Sequence, residues 1–378
     1  MAQRILYLVS EDWFFVMHRL PMARAAKNAG YDVHVATRIE NCAGKITEEG
    51  FTLHAMQWRR SSMNPIRLLC AIARIRRLYR RIQPDLVHHV ASFPIFLGSI
   101  AALGLPIRVL NAFTGLGFTF TSRTAKARFL RLLLANLLDF LMKPVNRAVL
   151  LENPDDAAVI AKLGVPQERI NVIAGSGVDI DAFTSSPEPA DSLCTVAFAG
   201  RLLDQKGVRT LVRAHEILTE RGVDVRLLLA GAPDPLNPTS ISENLLAEWR
   251  RIPNLVMLGH VEDVRNVWRQ AHIAALPSRG GEGIPMSLLE AAACGRPLIA
   301  TDVPGCREIA RPGVNALLVP VDDPDALADA VETLMKDRAM RLRFGSAGRK
   351  LVVDEFSSAK IGRGIVALYT DLLKRSAA

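Results

Sequence analysis

The chain has 378 residues, too many for one ordinary hydrophobic core, and its length predicts two or three domains. Its composition, 49% hydrophobic and 22% charged, is that of a globular protein and argues against a largely disordered chain. The five cysteines are irregularly spaced and include no CxxC pair, which argues against a disulfide framework and against a zinc site. We therefore expect the protein to reside in the reducing cytosol.

The net charge of +9 is unevenly distributed along the chain. Residues 1–189 hold 23 Lys/Arg and 15 Asp/Glu, whereas residues 190–378 hold 24 and 23. The positive surplus of the first half predicts an anionic partner there, which could be membrane lipid, a phosphorylated substrate or nucleic acid.

The first half alternates apolar, strand-like runs with stretches of helical spacing. The predicted strands are RILYLVS, YDVHVAT, FTLHAMQW, DLVHHV and IRVLNAF, and the first predicted helix is RLPMARAAKNAG. Such alternation predicts a parallel sheet with crossover helices. The N-terminus lacks the apolar length of a signal peptide. The uncharged stretch 90–107 is interrupted by prolines and glycines, so we predict a loop and a buried helix there, and no transmembrane segment.

A second βα alternation follows a Pro/Ser/Glu-rich stretch, TSSPEPADS (184–192), which we predict to be a linker. Its strand-like runs are LCTVAFAGRL, VRLLLAG, NLVMLGHV, HIAALPS, RPLIATDV and NALLVPV. We therefore predict an α/β protein of two Rossmann-like domains, with ligands bound in a cleft between the carboxyl ends of two sheets. A last helix is predicted near 357–374, and its periodicity leaves open which domain it packs on.

The stretch GGEGIPMSLLEAAACG (280–295) holds two glutamates, Glu282 and Glu290, separated by seven residues. The glycines allow a tight turn after a strand and a close approach of backbone amides to a ligand. A helix should begin near Pro285 or Ser287, and its N-terminus suits a phosphate. In the first turn of that helix, Glu290 could accept both hydrogens of a ribose diol, while Glu282 could reach a sugar or its leaving oxygen.

An alternative interpretation of the same stretch is purely structural. SLLE fits a capping box in which Ser287 is the cap and Glu290 bonds back to it. This alternative explains neither Glu282 nor the glycines.

The second motif, AGRLLDQKG (199–207), lies between a predicted strand and a helix. Arg201 and Lys206 are two cations at the carboxyl end of a strand, where the arginine fork and the lysine point charge suit a diphosphate. Either residue alone would be interpreted as ordinary surface charge. Because the same domain also contains the glycine loop that suits a phosphate, we favour diphosphate binding for the pair. The chain has neither a Walker A loop nor a GxGxxG after its first strand, which argues against a dehydrogenase.

These motifs together resemble glycosyltransferase family 4, whose members are retaining, nucleotide-sugar-dependent enzymes of GT-B fold. The stretches that carry the resemblance are the Glu-x7-Glu element, the GRL…KG loop, SGVDIDAF (176–183) and LGHVEDV (258–264). It covers nearly the whole chain. The stretches SEDWFFVMHRLPMARAAKNAGYDVHVAT and NAFTGLGFTF further resemble bacterial members that build O-antigen, capsule or lipid-linked oligosaccharides.

The resemblance implies two Rossmann-like domains that face each other across a cleft. Residues 1–184 would form the acceptor-binding domain and residues 192–356 the donor-binding domain. The C-terminal helix, about 357–378, would cross back to the first domain.

Roles in donor binding also follow from the resemblance. Arg201 and Lys206 would neutralise the donor diphosphate, as catalytic as well as binding residues. Glu282 would lie at the donor sugar, and Glu290 would bind the ribose.

Three further positions complete the implied donor site. The backbone at Gly283 and Ile284 would face the sugar and the phosphates. Val261, in LGHVEDV, would lie near the base.

The chain departs from the family pattern in its first domain. Many members have a Gly-Gly loop after the first strand, where this chain has EDWFFVMH. Many have a histidine before a glycine at the end of a first-domain strand, where this chain has Thr114. His18, His88 or His89 could supply an imidazole instead, although a histidine near a strand end is more often structural. We take His18 as the catalytic candidate.

The basic surplus has a local source in PIRLLCAIARIRRLYRRIQ (65–83), which contains no acidic residue. An apolar stripe runs along one face of the predicted helix, and a second stripe includes Arg74, Arg77 and Arg81. The stretch 123–143 is similar, with cations at Arg123, Lys126, Arg128, Arg131 and Lys143. A crossover helix with a solvated face is the structural alternative. The excess of cations favours contact with an anionic inner leaflet, with Arg74, Arg77 and Arg81 as a membrane and acceptor face.

We therefore predict a cytoplasmic glycosyltransferase, peripheral on the inner membrane, that moves a hexosyl or N-acetylhexosaminyl group. The donor would be a nucleotide-sugar, with a UDP-sugar expected, and the acceptor a lipid-diphosphate-linked glycan in cell-surface polysaccharide synthesis. No motif requires a metal or another cofactor. A nucleotide-sugar epimerase or hydrolase of the same fold is the alternative enzyme. A basic nucleic-acid-binding protein is the alternative from another class, disfavoured because no aromatic-basic RNA motif is present.

Overall fold

The computed structural model describes residues 2–58, 64–116, 136–142, 144, 146–191 and 193–375. The chain divides into two compact units. Unit 1 consists of Met1–Gly177 and Ser358–Ala378, and unit 2 of Val178–Ser357.

The described strands number thirteen. In chain order they are β1 (Arg4–Glu11), β2 (Asp32–Arg38), β3 (Thr52–Ala55), β4 (Leu86–Val90), β5 (Arg108–Ala112), β6 (Arg147–Leu151), β7 (Ile170–Val172), β8 (Cys194–Ala199), β9 (Val225–Ala230), β10 (Leu255–Gly259), β11 (Ile273–Leu276), β12 (Leu298–Thr301) and β13 (Ala316–Val319).

The helices with defined ends lie mostly between these strands. They are α1 (Asp12–His18), α2 (Leu20–Asn28), α3 (Ala43–Glu48), α4 (Pro65–Ile82), α5 (Ser92–Ala101), α6 (Pro154–Lys162), α7 (Val208–Glu220), α8 (Glu243–Trp249), α9 (Arg265–Gln270), α10 (Met286–Ala293), α11 (Cys306–Ile309), α12 (Pro324–Lys336), α13 (Arg338–Leu351) and α14 (Ser358–Lys374). Residues 136–142 are also helical.

Each unit is built on one parallel sheet. The strand order is β3-β2-β1-β4-β5-β6-β7 in unit 1 and β10-β9-β8-β11-β12-β13 in unit 2. In both sheets the first strand of the unit lies in the middle and the order reverses beside it, the doubly wound arrangement of Rossmann-like folds. The predicted α/β fold with two parallel sheets is confirmed.

The central strand of unit 1 shows why its apolar run is continuous. Alternate residues of β1 point to opposite faces of the sheet. Ile5, Tyr7 and Val9 pack with α2 and α14, whereas Leu6 and Leu8 pack with α4 and α5. Because helices cover both faces of the sheet, both sets of side chains are buried. The sequence of the strand is therefore a continuous apolar run and does not alternate with polar residues.

The terminal helix α14 belongs to unit 1. Tyr369 donates a hydrogen bond to the Tyr7 hydroxyl at 2.7 Å, and its own hydroxyl lies 2.6 Å from Nδ1 of His88. Along the same helix Ile361 and Ile365 are buried in the core shared with α2. The expected return of this helix to the first domain is confirmed.

The chain passes between the units earlier than residue 184. The amide of Val178 donates to the Phe356 carbonyl at 2.9 Å. The Arg349 guanidinium donates to the carbonyls of Ile180 and Phe183. These bonds attach the segment before the Pro/Ser/Glu-rich stretch to unit 2, so the division lies at Gly177–Val178.

Two glycines of α14 allow its packing on α2 to be tested by substitution. A Cβ at Gly362 would lie 2.7 Å from Cβ of Ala25, whereas at Gly364 the nearest atom would be 3.8 Å away. Gly362→Ala should therefore destabilise unit 1 by about 1–3 kcal/mol through overpacking. Gly364→Ala should be neutral or stabilise it by about 0.5–1 kcal/mol, because alanine favours a helix.

Urea denaturation of the two variants measures this difference. Equal midpoints would mean that α14 does not pack on α2 at this distance.

Candidate functional site

The predicted donor motifs lie where the strand order of unit 2 reverses. β8 and β11 are paired in parallel at this point, although they are not consecutive in the chain. The loop 200–207 follows β8, and the loop 277–285 follows β11. Ligands of open α/β sheets bind at the carboxyl ends of such strands. The topology therefore brings the two motifs together.

Two glycines allow the loops at this edge to touch backbone to backbone. Gly207 has φ +72° and Gly305 has φ +81°, conformations that favour glycine. A Cβ at Gly207 would overlap the carbonyl oxygen of Pro277, and one at Gly305 would overlap the carbonyl oxygen of Gly283. The loops after β8, β11 and β12 therefore meet with no room for a side chain.

Hydrogen bonds fix the two motifs to each other. The amide of Arg279 donates to the Gln205 carbonyl at 2.9 Å, and Nε2 of Gln205 donates to the Gly280 carbonyl at 3.1 Å. The Ser278 hydroxyl reaches the Gln205 carbonyl at 3.4 Å. The reciprocal bonds through Gln205 hold the short 3₁₀ turn Asp204–Lys206 against the glycine loop.

Lys206 and Glu282 form an ion pair at this junction. The Lys206 Nζ lies 2.5 Å from one carboxylate oxygen of Glu282 and 2.6 Å from the other. The two side chains are only 19% and 16% exposed, so solvent screens the pair less than it screens a surface pair. The sequence motifs gave no indication that these two residues neutralise each other.

Arg201 lies on the same loop and has a different partner. Its Nη1 is 2.7 Å from Oδ2 of Asp234, and the arginine side chain is 39% exposed. The Asp234 amide donates to the Ser240 hydroxyl at 3.0 Å. Asp234 was missed by the sequence analysis, although it follows the carboxyl end of β9 in a proline-rich loop, which is a usable signal.

Glu290 lies deeper in the helix than expected. α10 begins at Met286 with Pro285 in the N-cap position and no side-chain cap bond, so the capping-box alternative with Ser287 is wrong. Glu290 is the fifth helical residue and belongs to the second turn, not the first.

Burial changes the ionisation of this carboxyl. Burial raises the pKa of Glu290 to about 8, and the nearby indole N–H of Trp268 lowers this pKa by a smaller amount. The indole nitrogen is buried and, among the described residues, has no hydrogen bond of ordinary geometry. At neutral pH Glu290 is therefore largely protonated and can both donate and accept a hydrogen bond.

The remaining predicted donor positions occupy the same edge of unit 2. Gly283 and Ile284 are buried directly before α10. Val261 is half-buried after β10. The amide of Gly231 donates to the Gly259 carbonyl at 2.7 Å, which ties the end of β10 to the end of β9.

The candidate imidazoles lie in unit 1 and differ in accessibility. His18 ends α1, is half-buried, and has Nδ1 at 3.5 Å from the Ser176 hydroxyl. His88 and His89 are fully buried within β4. Burial lowers the pKa of His89 to about 3, and its ring bonds to Asn111 and Tyr79 at 2.8 Å. His88 and His89 therefore act as internal structural residues, and His18 remains the accessible candidate.

The basic helix α4 has the predicted two faces. Ile75, Tyr79 and Ile82 of the expected apolar stripe are buried, and Leu68 and Ile72 are half-buried. Arg74, Arg77 and Arg81 line a pocket of about 260 Å³ beside β3. The cations of the second basic stretch, including Arg123, Lys126, Arg128, Arg131 and Lys143, lie outside the described residues.

In the part of the chain that the structure describes, no group of three or more His, Cys, Asp or Glu side chains is placed to hold a metal ion. Within the same residues, no helix combines the length and the apolar character needed to cross a membrane.

Two protein-family models match the chain, one in each half. The model described as "Glycosyl transferase 4-like" matches residues 4–146. The model described as "Glycosyl transferases group 1" matches residues 194–337. The predicted recognition of a glycosyltransferase, and with it the prediction of an enzyme, is confirmed.

Two curated relatives differ in how much of the chain they match. The N,N'-diacetylbacillosaminyl-diphospho-undecaprenol alpha-1,3-N-acetylgalactosaminyltransferase of Campylobacter jejuni is 23% identical over 94% of this chain and 95% of its own. The capsular polysaccharide biosynthesis glycosyltransferase CapM of Staphylococcus aureus is 30% identical over 48% of this chain and 47% of its own. The chain thus matches about half the length of CapM.

A solved structure shares the fold over the whole chain. The Anabaena protein Alr3699/HepE, crystallised with UDP and glucose, superposes with a TM-score of 0.78 at 17% identity. It covers 97% of this chain and 99% of its own. The likeness confirms the predicted GT-B fold class.

The raised pKa of Glu290 predicts how stability depends on pH. The folded protein holds this proton more tightly than the unfolded chain, whose carboxyl has the ordinary value of 4.5. The free energy of unfolding contributed by this group therefore falls as pH rises from about 4.5 to about 8. Glu290→Gln cannot ionise, so its melting temperature relative to the native protein should be higher at about pH 9 than at about pH 5.

Thermal denaturation of both proteins at the two pH values measures this shift. Glu262→Gln, at an exposed carboxylate, is the matched control. A difference in melting temperature that does not change with pH would contradict the raised pKa.

Proposed function

Because the chain belongs to the glycosyltransferases that join a 4-like domain to a group 1 domain, we propose that it transfers a sugar with retention from a nucleotide-sugar to a lipid-diphosphate-linked glycan. The donor would bind to unit 2 and the acceptor to unit 1. The product would belong to cell-surface polysaccharide synthesis, and no metal would be needed.

The observation that carries the donor assignment is the Lys206–Glu282 pair at the strand reversal of unit 2. A bound diphosphate offers Lys206 a charge-assisted bond of the same kind as its bond to the carboxylate. Glu282 would then be released toward the sugar. Arg201, with its more exposed side chain, would likewise exchange Asp234 for a phosphate oxygen.

The proposed reaction needs no carboxylate nucleophile. The bond between the anomeric carbon and the diphosphate oxygen breaks, and the leaving diphosphate takes the electron pair. The acceptor hydroxyl forms the new bond on the same face and gives its proton to the departing phosphate oxygen. Lys206 and Arg201 would stabilise the negative charge that develops on the diphosphate.

The lipid-linked acceptor is proposed from relatives and from α4. The Campylobacter relative is named for a diphospho-undecaprenol acceptor. On α4 the apolar side chains of Ile66 and Leu69 are 71% and 65% exposed and lie among arginines. Each such cation near an anionic leaflet adds about 1 kcal/mol of attraction. This composition supports a peripheral position on the inner membrane.

Ligand-induced stabilisation identifies the donor. UDP is the first probe because it is the nucleotide in the HepE complex of the same fold. A bound nucleotide-sugar raises the free energy of unfolding by RT ln(1 + [L]/Kd), so the preferred donor gives the largest shift in melting temperature. If no nucleotide-sugar stabilises the protein, the donor assignment fails. Sugar release to water in place of transfer would favour a hydrolase.

Removing either diphosphate cation should slow transfer. Lys206→Ala and Arg201→Ala should each lower turnover by about 10²–10³-fold, since each removes one charge that stabilises the leaving group. Arg209→Ala is the matched control, because Arg209 is an exposed cation two residues beyond the loop and pairs with Asp204. Turnover is measured with the donor found by stabilisation.

Near-native turnover in both loop variants would contradict the diphosphate role. An equal loss of turnover in Arg209→Ala would mean that the loss reflects the lower net positive charge and not contact with the diphosphate.

Glu290 is proposed to bind the ribose diol. Glu290→Ala should weaken UDP binding about tenfold, the loss expected when two hydrogen bonds of about 0.5–1.5 kcal/mol each to a neutral carboxyl are removed. UDP lacking both ribose hydroxyls should bind the native protein and the variant equally. Calorimetric titration of the two ligands into the two proteins gives the four affinities. If the variant loses the same factor with both ligands, Glu290 does not contact the diol.

A further inference from the structure

We propose that unit 1 carries a phosphate-binding pocket between the edge strand β3 and helix α4, separate from the donor motifs of unit 2. Its polar lining comes from His54, Gln57, Arg74, Arg77 and Arg81. The inference deepens the proposed membrane face, and it rests on the proposed function only for the source of the phosphate.

The pocket is formed where the sheet of unit 1 ends. β3 is the terminal strand in the sheet order, and His54 lies on it. Arg74, Arg77 and Arg81 are spaced by three and four residues on α4, so they project from one side of the helix. Three guanidinium groups therefore converge on one pocket beside a strand edge.

The charges of this pocket lack the carboxylate partners that cations usually have in this protein. Arg74 donates to the Gln57 carbonyl at 3.0 Å. Among the described residues, no carboxylate forms a salt bridge with Arg77 or Arg81. The helix itself contains no acidic residue. A phosphate would supply the missing negative charge, and its oxygens match the arginine fork.

His54 of β3 lines the pocket and is paired with His34, which lies outside the lining. His54 Nε2 lies 3.0 Å from His34 Nδ1, and the two rings are stacked at 5.2 Å. Oδ2 of Asp32 holds the other nitrogen of His34 at 3.1 Å. Burial, His34 and Arg81 lower the pKa of His54 to about 4, so His54 is neutral at pH 7. A bound anion would offset the positive charge of Arg81, which is one of the causes that lower the pKa of His54.

The size of the pocket suits a phosphate with a substituent. Its volume of about 260 Å³ leaves room for more than a single water molecule. A phosphate monoester or a diphosphate is therefore the class of ligand that we assign to it. Two sources share this chemistry, the headgroup of an anionic lipid and a soluble phosphate.

The test compares two double variants of α4 with the same loss of charge. Arg77→Gln with Arg81→Gln removes two cations that line the pocket. Arg67→Gln with Arg80→Gln removes two exposed cations that do not line it. Inorganic diphosphate is titrated calorimetrically in the presence of saturating UDP, and equal melting temperatures of the variants confirm that both are folded.

We expect the pocket variant to bind diphosphate at least tenfold more weakly than the native protein, and the control variant to bind it as the native protein does. In the native protein, diphosphate should also raise the pKa of His54, because the anion offsets the repulsion from Arg81. Histidine NMR resonances, assigned with His54→Gln, report this shift. Equal loss of diphosphate binding in both variants, or an unshifted His54, would overturn the proposal.

Vesicles of phosphatidylcholine containing phosphatidate identify the source. If the pocket variant alone loses vesicle binding, the phosphate belongs to a lipid. If both variants lose vesicle binding equally while diphosphate binding remains specific to the pocket, the phosphate is soluble. These measurements require no sugar transfer. The two variants share the same unit 2, so their comparison remains interpretable even if UDP does not occupy the donor motifs.

Discussion

Parallel pairing of strands that are buried on both faces is the constraint on which the rest of this structure depends. In each sheet the first strand lies centrally and the order reverses beside it, so that loops from non-consecutive strands meet at one edge. In unit 2 this brings the loop with Lys206 against the loop with Glu282. The charged side chains of both motifs therefore lie on loops, while the strands of unit 2 carry mostly apolar residues.

The Lys206–Glu282 pair illustrates how charged loops at such an edge can be stable without a ligand and still accept one. Two half-buried charges of opposite sign neutralise each other, so neither is left uncompensated. Arg201 is held in the same way by Asp234. In the proposed function, an incoming diphosphate would exchange one anionic partner for another and would not have to displace a packed apolar contact. The edge proposed for the donor thus carries two ion pairs whose anionic partners a diphosphate could replace.

Much of this fold could be predicted from the sequence, because continuous apolar runs and helical periodicity report burial directly. The runs assigned to β1, β8 and β11 are strands, and α10 begins where the glycine loop ends. Features that depend on three-dimensional proximity could not be predicted. Asp234 lies far from Arg201 in sequence, and the burial that raises the pKa of Glu290 comes from the folded unit. Helix α1 was missed because EDWFFVMH lacks an amphipathic pattern long enough to recognise.

The donor motifs of unit 2 and the basic helix α4 of unit 1 hold their positive charge in different ways. In unit 2, cations such as Arg201, Lys206 and Arg209 each have a carboxylate partner. On α4 of unit 1, Arg77 and Arg81 have none among the described residues. Paired cations act over a short range and select a ligand that fits, whereas unpaired cations attract anions over about 8–10 Å at moderate salt. In the proposed function, short-range selection would suit a soluble donor that must be distinguished from others, and long-range attraction would suit an extended anionic surface.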